Sequence, residues 1–303
     1  MRINSKWMMP VLAALLAAPQ AWAMTIFTCE PEYAALAREL APEANVSSAT
    51  TALQDPHHVQ ARPSLIAKLR RADLAICAGA DLEVGWLPML QMKANNRKVR
   101  DGQPGMLYAA QHLEALGRLE RVDRSMGDVH AGGNPHFHFS PSRIQTMAEV
   151  IAAKLVELDP DNEPQYRANL TEFSQRWSQA TTRWRTQAAP LKGKRVIAYH
   201  TSFQYLFDWL GMEQAGDLEP KPGLPPTTGH LAQLLKLTET TPIMAVIYTG
   251  YQDGRGAQWL GQRAGLPVVQ LPFGPGVEGA ADLFQLYDTN IALLLAAMEE
   301  SDV

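Results

Sequence analysis

The stretch Gly132-Gly133-Asn134-Pro135-His136-Phe137-His138-Phe139-Ser140-Pro141 organises the interpretation of this chain. Its glycines and prolines predict a tight turn. Ser140 followed by Pro141 predicts the N-cap and first turn of a helix directly behind that turn. The imidazoles of His136 and His138 are therefore expected at the mouth of a helix. Because neutral imidazole is a common metal ligand, the stretch predicts part of a metal site whose other ligands lie elsewhere.

The first 23 residues have the pattern of a secretory signal peptide. Arg2 and Lys6 supply a positive start, residues 8–18 form an apolar segment, and Ala21-Trp22-Ala23 is a cleavage signature. The apolar segment is shorter than the roughly 20 residues of a membrane span. We therefore expect export, cleavage after Ala23 and a soluble mature protein.

The charge of the mature chain restricts its partners. Without the signal peptide the chain has 25 Lys and Arg against 31 Asp and Glu, a net charge of −6 with His neutral. A net acidic chain without a basic run argues against binding to nucleic acid and to anionic membrane surfaces.

The chain has two cysteines, Cys29 and Cys77, separated by 48 residues. Export permits a disulfide between them. Two buried thiols on neighbouring strands are the alternative. Neither cysteine belongs to a C-x-x-C motif, so thiol chemistry is not expected.

Short apolar strands alternate with helical patterns on both sides of the central stretch, which predicts an α/β fold with mostly parallel sheets. We expect one α/β lobe over 24–140, linking helices over 141–190 and a second α/β lobe over 191–303. The longest helical pattern, 163–189, would span roughly 40 Å. It carries an aromatic stripe at helical spacing, so we interpret it as a rigid connection between the lobes with its aromatic side chains in the core.

Three histidines occupy equivalent places in this pattern. His57 follows a predicted strand at 46–50, His136 lies in the central turn, and His200 ends the strand at 195–199. In open α/β sheets, ligands bind outside the carboxyl ends of the strands. Each histidine taken singly is equally well a surface or strand-end residue, but the three together predict a metal site in the cleft between the lobes.

The residues around these histidines form three spaced motifs. They are Asp55-Pro56-His57 followed by Pro63-Ser64, Asn134-Pro135-His136 followed by Ser140-Pro141, and Tyr199-His200 followed by Phe203 and Leu210-Gly211. In this order they resemble the substrate-binding proteins of zinc and manganese ABC importers, the cluster A-I group with the TroA-like fold. The resemblance covers nearly the whole mature chain. It implies two lobes with a long connecting helix, and a metal bound by His57, His136 and His200.

The same resemblance implies a location and partners. A member of this group is expected in the periplasm, as a monomer that delivers metal to an ABC permease and its ATPase at the inner membrane. A periplasmic metallochaperone is a further candidate partner.

The fourth metal ligand stays open. The family commonly has an acidic residue ahead of the last helix, but here Ala281 stands at that position and Asp282 follows it. The proline-rich loop 216–226 resembles a branch of zinc-binding members in which a loop aspartate completes the site. Asp217 is therefore preferred to Asp282, with Glu219 or a water as further alternatives. Asp217 and Glu219 are also consistent with an ordinary solvated turn.

Three imidazoles and one carboxylate suit tetrahedral Zn²⁺, whereas manganese favours more oxygen ligands. Other histidines near the motifs suggest accessory contacts. We hypothesise that His130 or His138 forms a weak entry site for metal, with His58 as another candidate. An ordinary polar loop is the alternative interpretation of these residues.

High-affinity capture of Zn²⁺ for import, without catalysis, is thus the predicted function. An exported zinc-dependent hydrolase or lyase is one alternative, with water in the fourth position. The sequence lacks an H-E-x-x-H motif and a clear general base, which argues against it. A binding protein for a metal chelate or another small molecule is a second alternative, and an adhesin role would be an addition to either.

Overall fold

Two parallel β-sheets of four strands each, flanked by helices, form the fold. The structure is a computed structural model that describes residues 23–301 apart from 120, 122–125 and 128. Apart from Ala23, the predicted signal peptide lies outside the described residues. Within the described ranges, no helix has the length and apolar character needed to span a membrane.

The first sheet has the strand order β2-β1-β3-β4, and every neighbouring pair is parallel. Its strands are β1 (Thr25–Thr28), β2 (Asn45–Ser48), β3 (Leu74–Cys77) and β4 (Met106–Tyr108). The helices that accompany it are α1 (Pro31–Leu40), α2 (Pro63–Arg71) and α3 (Leu87–Ala94). Each of these helices has a proline in its first turn, where the missing N–H costs no hydrogen bond.

The second sheet repeats this arrangement with the order β6-β5-β7-β8, again all parallel. Its strands are β5 (Arg195–Ala198), β6 (Glu213–Asp217), β7 (Ala245–Thr249) and β8 (Val268–Leu271). Its helices are α6 (Gln204–Leu210), α7 (Thr228–Thr240), α8 (Arg255–Ala264) and α9 (Leu283–Ser301). The predicted α/β class with parallel sheets is confirmed.

Two helices connect the part of the chain that forms the first sheet to the part that forms the second. After α4 (Pro141–Leu158), α5 runs from Glu163 to Gln187, within the predicted range 163–189. The aromatic stripe of α5 is buried in the core, as expected, and Trp177 and Trp184 are among the largest fully buried side chains. The indole Nε1 of Trp177 donates a hydrogen bond of 2.9 Å to the backbone oxygen of Pro141. This bond fixes α5 to the central stretch.

The central stretch is hydrogen-bonded to the second half of the chain. The hydroxyl of Tyr205 donates to the backbone oxygen of Asn134 at 2.7 Å, and Asn134 Nδ2 donates to the backbone oxygen of Thr201 at 2.8 Å. The hydroxyl of Tyr287 donates to the backbone oxygen of His138 at 2.8 Å. The stretch that carries His136 is thereby held by residues of α6, of α9 and of the segment before α6.

The chain around β6 differs from the expectation. The predicted loop 216–226 begins too early, because β6 continues to Asp217. The strand β6 is a polar edge strand that pairs with β5 across an irregular register. Gly216 faces α7 closely: a Cβ there would lie 3.0 Å from Leu234 Cδ2.

A disulfide joins Cys29, just after β1, to Cys77 at the end of β3, and both residues are fully buried. The predicted disulfide is confirmed. The turn behind Cys77 is held by Glu83, whose carboxylate accepts from the backbone N–H of Ala78 at 2.7 Å and of Gly79 at 3.1 Å. These bonds support a turn in which Gly79, Ala80 and Asp81 all have positive φ.

Glu83 makes the stability of this region pH-dependent. Burial raises the pKa of Glu83 to about 7, and burial beside Glu83 also raises that of Glu30. A carboxyl with a raised pKa keeps its proton in the folded state, so its stabilising effect is complete below pH 4.5 and is lost as the pH rises through 7. For Glu83 alone, this loss corresponds to about 3 kcal/mol at most.

Glu83→Gln, which stays neutral, is expected to reduce the loss of unfolding free energy between pH 5 and pH 8. Denaturant unfolding at both pH values measures this loss of unfolding free energy. Glu43→Gln, at an exposed position, is the matched control. An equal pH dependence in wild type and Glu83→Gln would contradict the assignment.

Candidate metal site

Three histidines from distant parts of the chain meet at the carboxyl ends of the strands. The ring centroids of His57 and His136 are 6.3 Å apart, those of His57 and His200 6.5 Å, and those of His136 and His200 6.5 Å. In a tetrahedral zinc site with Zn–N bonds of about 2.0–2.1 Å, ring centroids are roughly 5 Å apart. The triangle is therefore about 1 Å wider than a closed site, and small side-chain movements would close it.

His57 is oriented by Asp55, two residues before it. The Oδ1 atom of Asp55 lies 2.7 Å from His57 Nδ1 and accepts from the His57 backbone N–H at 2.9 Å. A carboxylate at Nδ1 places the ring hydrogen there and leaves the lone pair on Nε2. Burial alone would raise the pKa of Asp55, but the hydrogen bonds and charge of His57 lower it overall.

His200 has the same arrangement with a different partner. Its Nδ1 lies 2.8 Å from Oε2 of Glu219, and the same oxygen accepts from the Gly223 backbone N–H at 3.1 Å. Glu219, one alternative for the fourth ligand, is thus placed behind the His200 ring. It orients His200 and the loop after β6 together.

His136 lies deeper than the other two. It is 2% exposed, and its Nε2 is buried without a hydrogen-bond partner. Its backbone N–H donates to Asn134 Oδ1 at 2.9 Å, which fixes the turn. Burial, together with the neighbouring histidines, lowers the pKa of His136 well below its usual range. A buried imidazole kept neutral, with one nitrogen unpartnered, is suited to a metal ligand.

The two aspartates weighed as fourth ligands lie in different surroundings. Asp217 ends β6; its Oδ1 accepts from Gln214 Nε2, and its backbone oxygen lies 2.7 Å from His230 Nε2. Burial raises the pKa of Asp217, whereas Gln214 and His200 act against the rise. Asp282 accepts from the Gln285 backbone N–H at 2.8 Å, as a residue that caps α9.

The three histidines named as accessory contacts differ in exposure and in distance from the metal triangle. His58 is exposed, with its ring centroid 6.3 Å from that of His57. His138 is 1% exposed; its Nε2 is 2.8 Å from the Phe273 backbone oxygen, and its Nδ1 is 2.9 Å from Glu32 Oε1, off the hydrogen-bond axis. This burial removes His138 from metal arriving through solvent. His130 reaches the site itself, with its Nε2 3.0 Å from His57 Nε2.

A cavity of about 180 Å³ opens above His57 and His200. Its wall includes Asp55, Glu219 and Asp253, so its mouth is acidic and favours cations. The volume is smaller than the roughly 300–1,000 Å³ of sites for drug-sized ligands. A small cation fits this cavity better than a bulky chelate.

The sequence offered Glu219 as an alternative metal ligand and Asp55 as part of the first motif, but it did not identify either carboxylate as the partner of a ligand ring. The Asp-x-His spacing is a usable signal for Asp55, whereas Glu219 is 19 residues from His200 and has none. Loss of such an outer partner typically weakens metal binding by about 10–100-fold. We expect a weakening in this range for Asp55→Asn and for Glu219→Gln.

Competition with a chelator of known affinity measures this effect. Asp253→Asn is the matched control, because Asp253 lines the same cavity but pairs with Arg255 rather than with an imidazole. A uniform small loss in all three variants would indicate a general charge effect and would contradict specific positioning.

Residues 26–297 match the family model described as "ZnuA: Zinc-uptake complex component A periplasmic". The chain belongs to the ZnuA family. Among curated relatives, the high-affinity zinc uptake system protein ZnuA of Yersinia pestis is 27% identical over 59% of this chain and 60% of that protein. ZnuA of Bacillus subtilis (strain 168) is 23% identical over 70% of this chain and 66% of that protein. The matched region thus spans about two thirds or less of these relatives.

Solved structures support the ZnuA fold. A crystal structure of ZnuA aligns with a TM-score of 0.71 at 23% identity, covering 93% of this chain and 99% of that chain. A Mn-bound mutant of a periplasmic metal-binding protein from Candidatus Liberibacter asiaticus aligns with a TM-score of 0.74 at 16% identity, covering 91% and 99%. At these identities the likeness concerns the fold.

Proposed function

We propose that this protein captures Zn²⁺ in the periplasm and delivers it to an ABC permease for import. The observation that carries the proposal is the unpartnered, buried Nε2 of His136 inside the triangle formed with His57 and His200. Leaving a buried nitrogen unpaired is unfavourable, and a bound metal would satisfy it. Curated relatives are named as zinc uptake proteins, which agrees with this chemistry.

The ligand type favours zinc over harder cations. Neutral imidazoles suit zinc, whereas manganese, magnesium and calcium sites rely on oxygen ligands. The cavity above the rings has acidic walls and is small, so a hydrated cation can enter and lose its water as the imidazoles close on it. His57 and His200, held by Asp55 and Glu219, present Nε2 lone pairs towards the metal position.

The partners follow from this role. The loaded protein is expected to act as a monomer that docks on the permease, whose ATPase drives import. A periplasmic metallochaperone is a proposed second source of metal. Export by the N-terminal signal peptide places the protein in the same compartment. No catalytic role is assigned to the site.

A zinc titration of the purified, metal-free mature protein tests the proposal. We expect one equivalent of tightly bound Zn²⁺ and much weaker binding of Mn²⁺, followed in each case by chelator competition. Failure to bind one equivalent of zinc would overturn the proposed function.

A further inference from the structure

His130, considered from the sequence only as part of a weak entry site, lies directly against His57 of the metal triangle. Its ring centroid is 5.1 Å from that of His57, with the planes at 28°, and the two Nε2 atoms are 3.0 Å apart. Two nitrogens bound to one tetrahedral zinc are roughly 3.3 Å apart. His57 and His130 are therefore already separated by about the distance that a shared metal would require.

The segment behind His130 is built to bring the ring to this position. A Cβ on Gly132 would lie 3.1 Å from Ala80 Cα, so any other residue there would have to push the turn after β3 away by a few tenths of an ångström. Gly133 has φ +93°, and a Cβ there would lie 2.6 Å from Ala115 Cβ. The Gly133 N–H donates to the His130 backbone oxygen at 3.1 Å, which closes a turn. The His130 ring also hydrogen-bonds the backbone of Ala80.

Two nitrogen lone pairs 3.0 Å apart repel each other, so either a hydrogen or a cation must lie between the Nε2 atoms of His57 and His130. Because Asp55 holds the hydrogen of His57 on Nδ1, the Nε2 of His57 presents a lone pair to His130. With the ring hydrogen of His130 on Nε2, the 3.0 Å separation is that of an N–H···N hydrogen bond. With the ring hydrogen moved to Nδ1 of His130, both Nε2 atoms are free to bind one cation.

We propose that His130 is the fourth metal ligand, so that the site is a four-imidazole site formed by His57, His130, His136 and His200. This inference rests on the proposed function and extends it. Three of the four ligands then come from the part of the chain before α4, and only His200 comes from the part after α5. Four neutral nitrogen ligands disfavour manganese more strongly than three nitrogens and a carboxylate would.

The carboxylates considered for this position are engaged elsewhere. Glu219 orients His200, Asp282 caps α9, and Asp217 is bonded to Gln214.

Absorption spectra of the Co²⁺-loaded protein and chelator competition with Zn²⁺ test the inference on His130→Ala and His130→Gln. We expect both variants to bind zinc more weakly, by at least the roughly 10–100-fold typical of losing an outer partner, and to give altered Co²⁺ bands. His112→Ala, at an exposed histidine, is the matched control and should leave both readouts unchanged. Asp217→Asn tests the competing ligand.

Wild-type affinity and an unchanged Co²⁺ spectrum in both His130 variants would overturn the inference, as would an altered spectrum in Asp217→Asn alone. These outcomes are distinct from failure of the proposed function, in which the wild-type protein itself would not bind one equivalent of zinc. Two substitutions at His130 separate loss of the ligand from loss of folding, because glutamine keeps a polar side chain in contact with His57.

Discussion

His136→Ala is expected to abolish high-affinity zinc binding. The variant removes the most deeply buried imidazole of the triangle, the one whose Nε2 has no other partner. Zinc bound by four protein ligands typically contributes about 10–16 kcal/mol, so one ligand accounts for about 3 kcal/mol, on the order of a hundredfold or more in affinity. Neither Asp55 nor Glu219 can take its place, since each is bonded to another imidazole.

Zinc-dependent stabilisation gives an independent measurement of the same effect. A ligand at 100 times its Kd stabilises a protein by about 2.7 kcal/mol, so zinc should raise the unfolding temperature of the wild type. The same zinc concentration should leave His136→Ala almost unchanged. His112→Ala serves as the control because it removes an exposed imidazole and keeps the triangle. If zinc raised the unfolding temperature of His136→Ala as much as that of the wild type, the central role of His136 would be contradicted.

The fold was largely predictable because its signals are local. The strand and helix periodicities predicted the α/β class. The spacing of the aromatic side chains of α5 predicted that one face of this helix is buried. No strand was predicted at β4 or at β6, and the reason is physical in both cases. β4 has only three residues, Met106–Tyr108, after a glycine- and proline-rich segment, and β6 is a polar edge strand. The sequence of β6, Glu-Gln-Ala-Gly-Asp, lacks the apolar run that marks a buried parallel strand.

The site was predictable in part for a related reason. His57, His136 and His200 each follow a turn or strand end that the sequence marks clearly. His130 and Glu219, which complete the site, have no comparable signal in the sequence. His130 meets His57 across 73 residues, and the approach depends on Gly132 packing against Ala80. Glu219 reaches His200 only because β5 and β6 pair in parallel, which brings the residues after both strands to one edge of the sheet.

Removal of the Cys29–Cys77 disulfide is expected to destabilise the metal-free protein strongly. The bond closes a separation of 48 residues, for which the chain-entropy model gives roughly 4 kcal/mol. Cys29→Ala with Cys77→Ala should lower the free energy of unfolding of the metal-free protein by about 2–5 kcal/mol. Denaturant unfolding with and without reductant measures this. A reductant should affect the wild type and not the double variant, and equal midpoints in the oxidised and reduced wild type would contradict the prediction.

The position of the disulfide separates its effect on folding from its effect on zinc. The covalent ring encloses the loop that carries His57, whereas His136 and His200 lie outside it. The sheet keeps β1 and β3 paired without the bond, and Glu83 still holds the backbone of Ala78 and Gly79. At low temperature, where the double variant is folded, chelator competition should therefore give a much smaller change in zinc affinity than His136→Ala does. A loss of affinity as large as that of His136→Ala would mean that the disulfide positions His57 directly, and the loop would then depend on the bond rather than on Asp55.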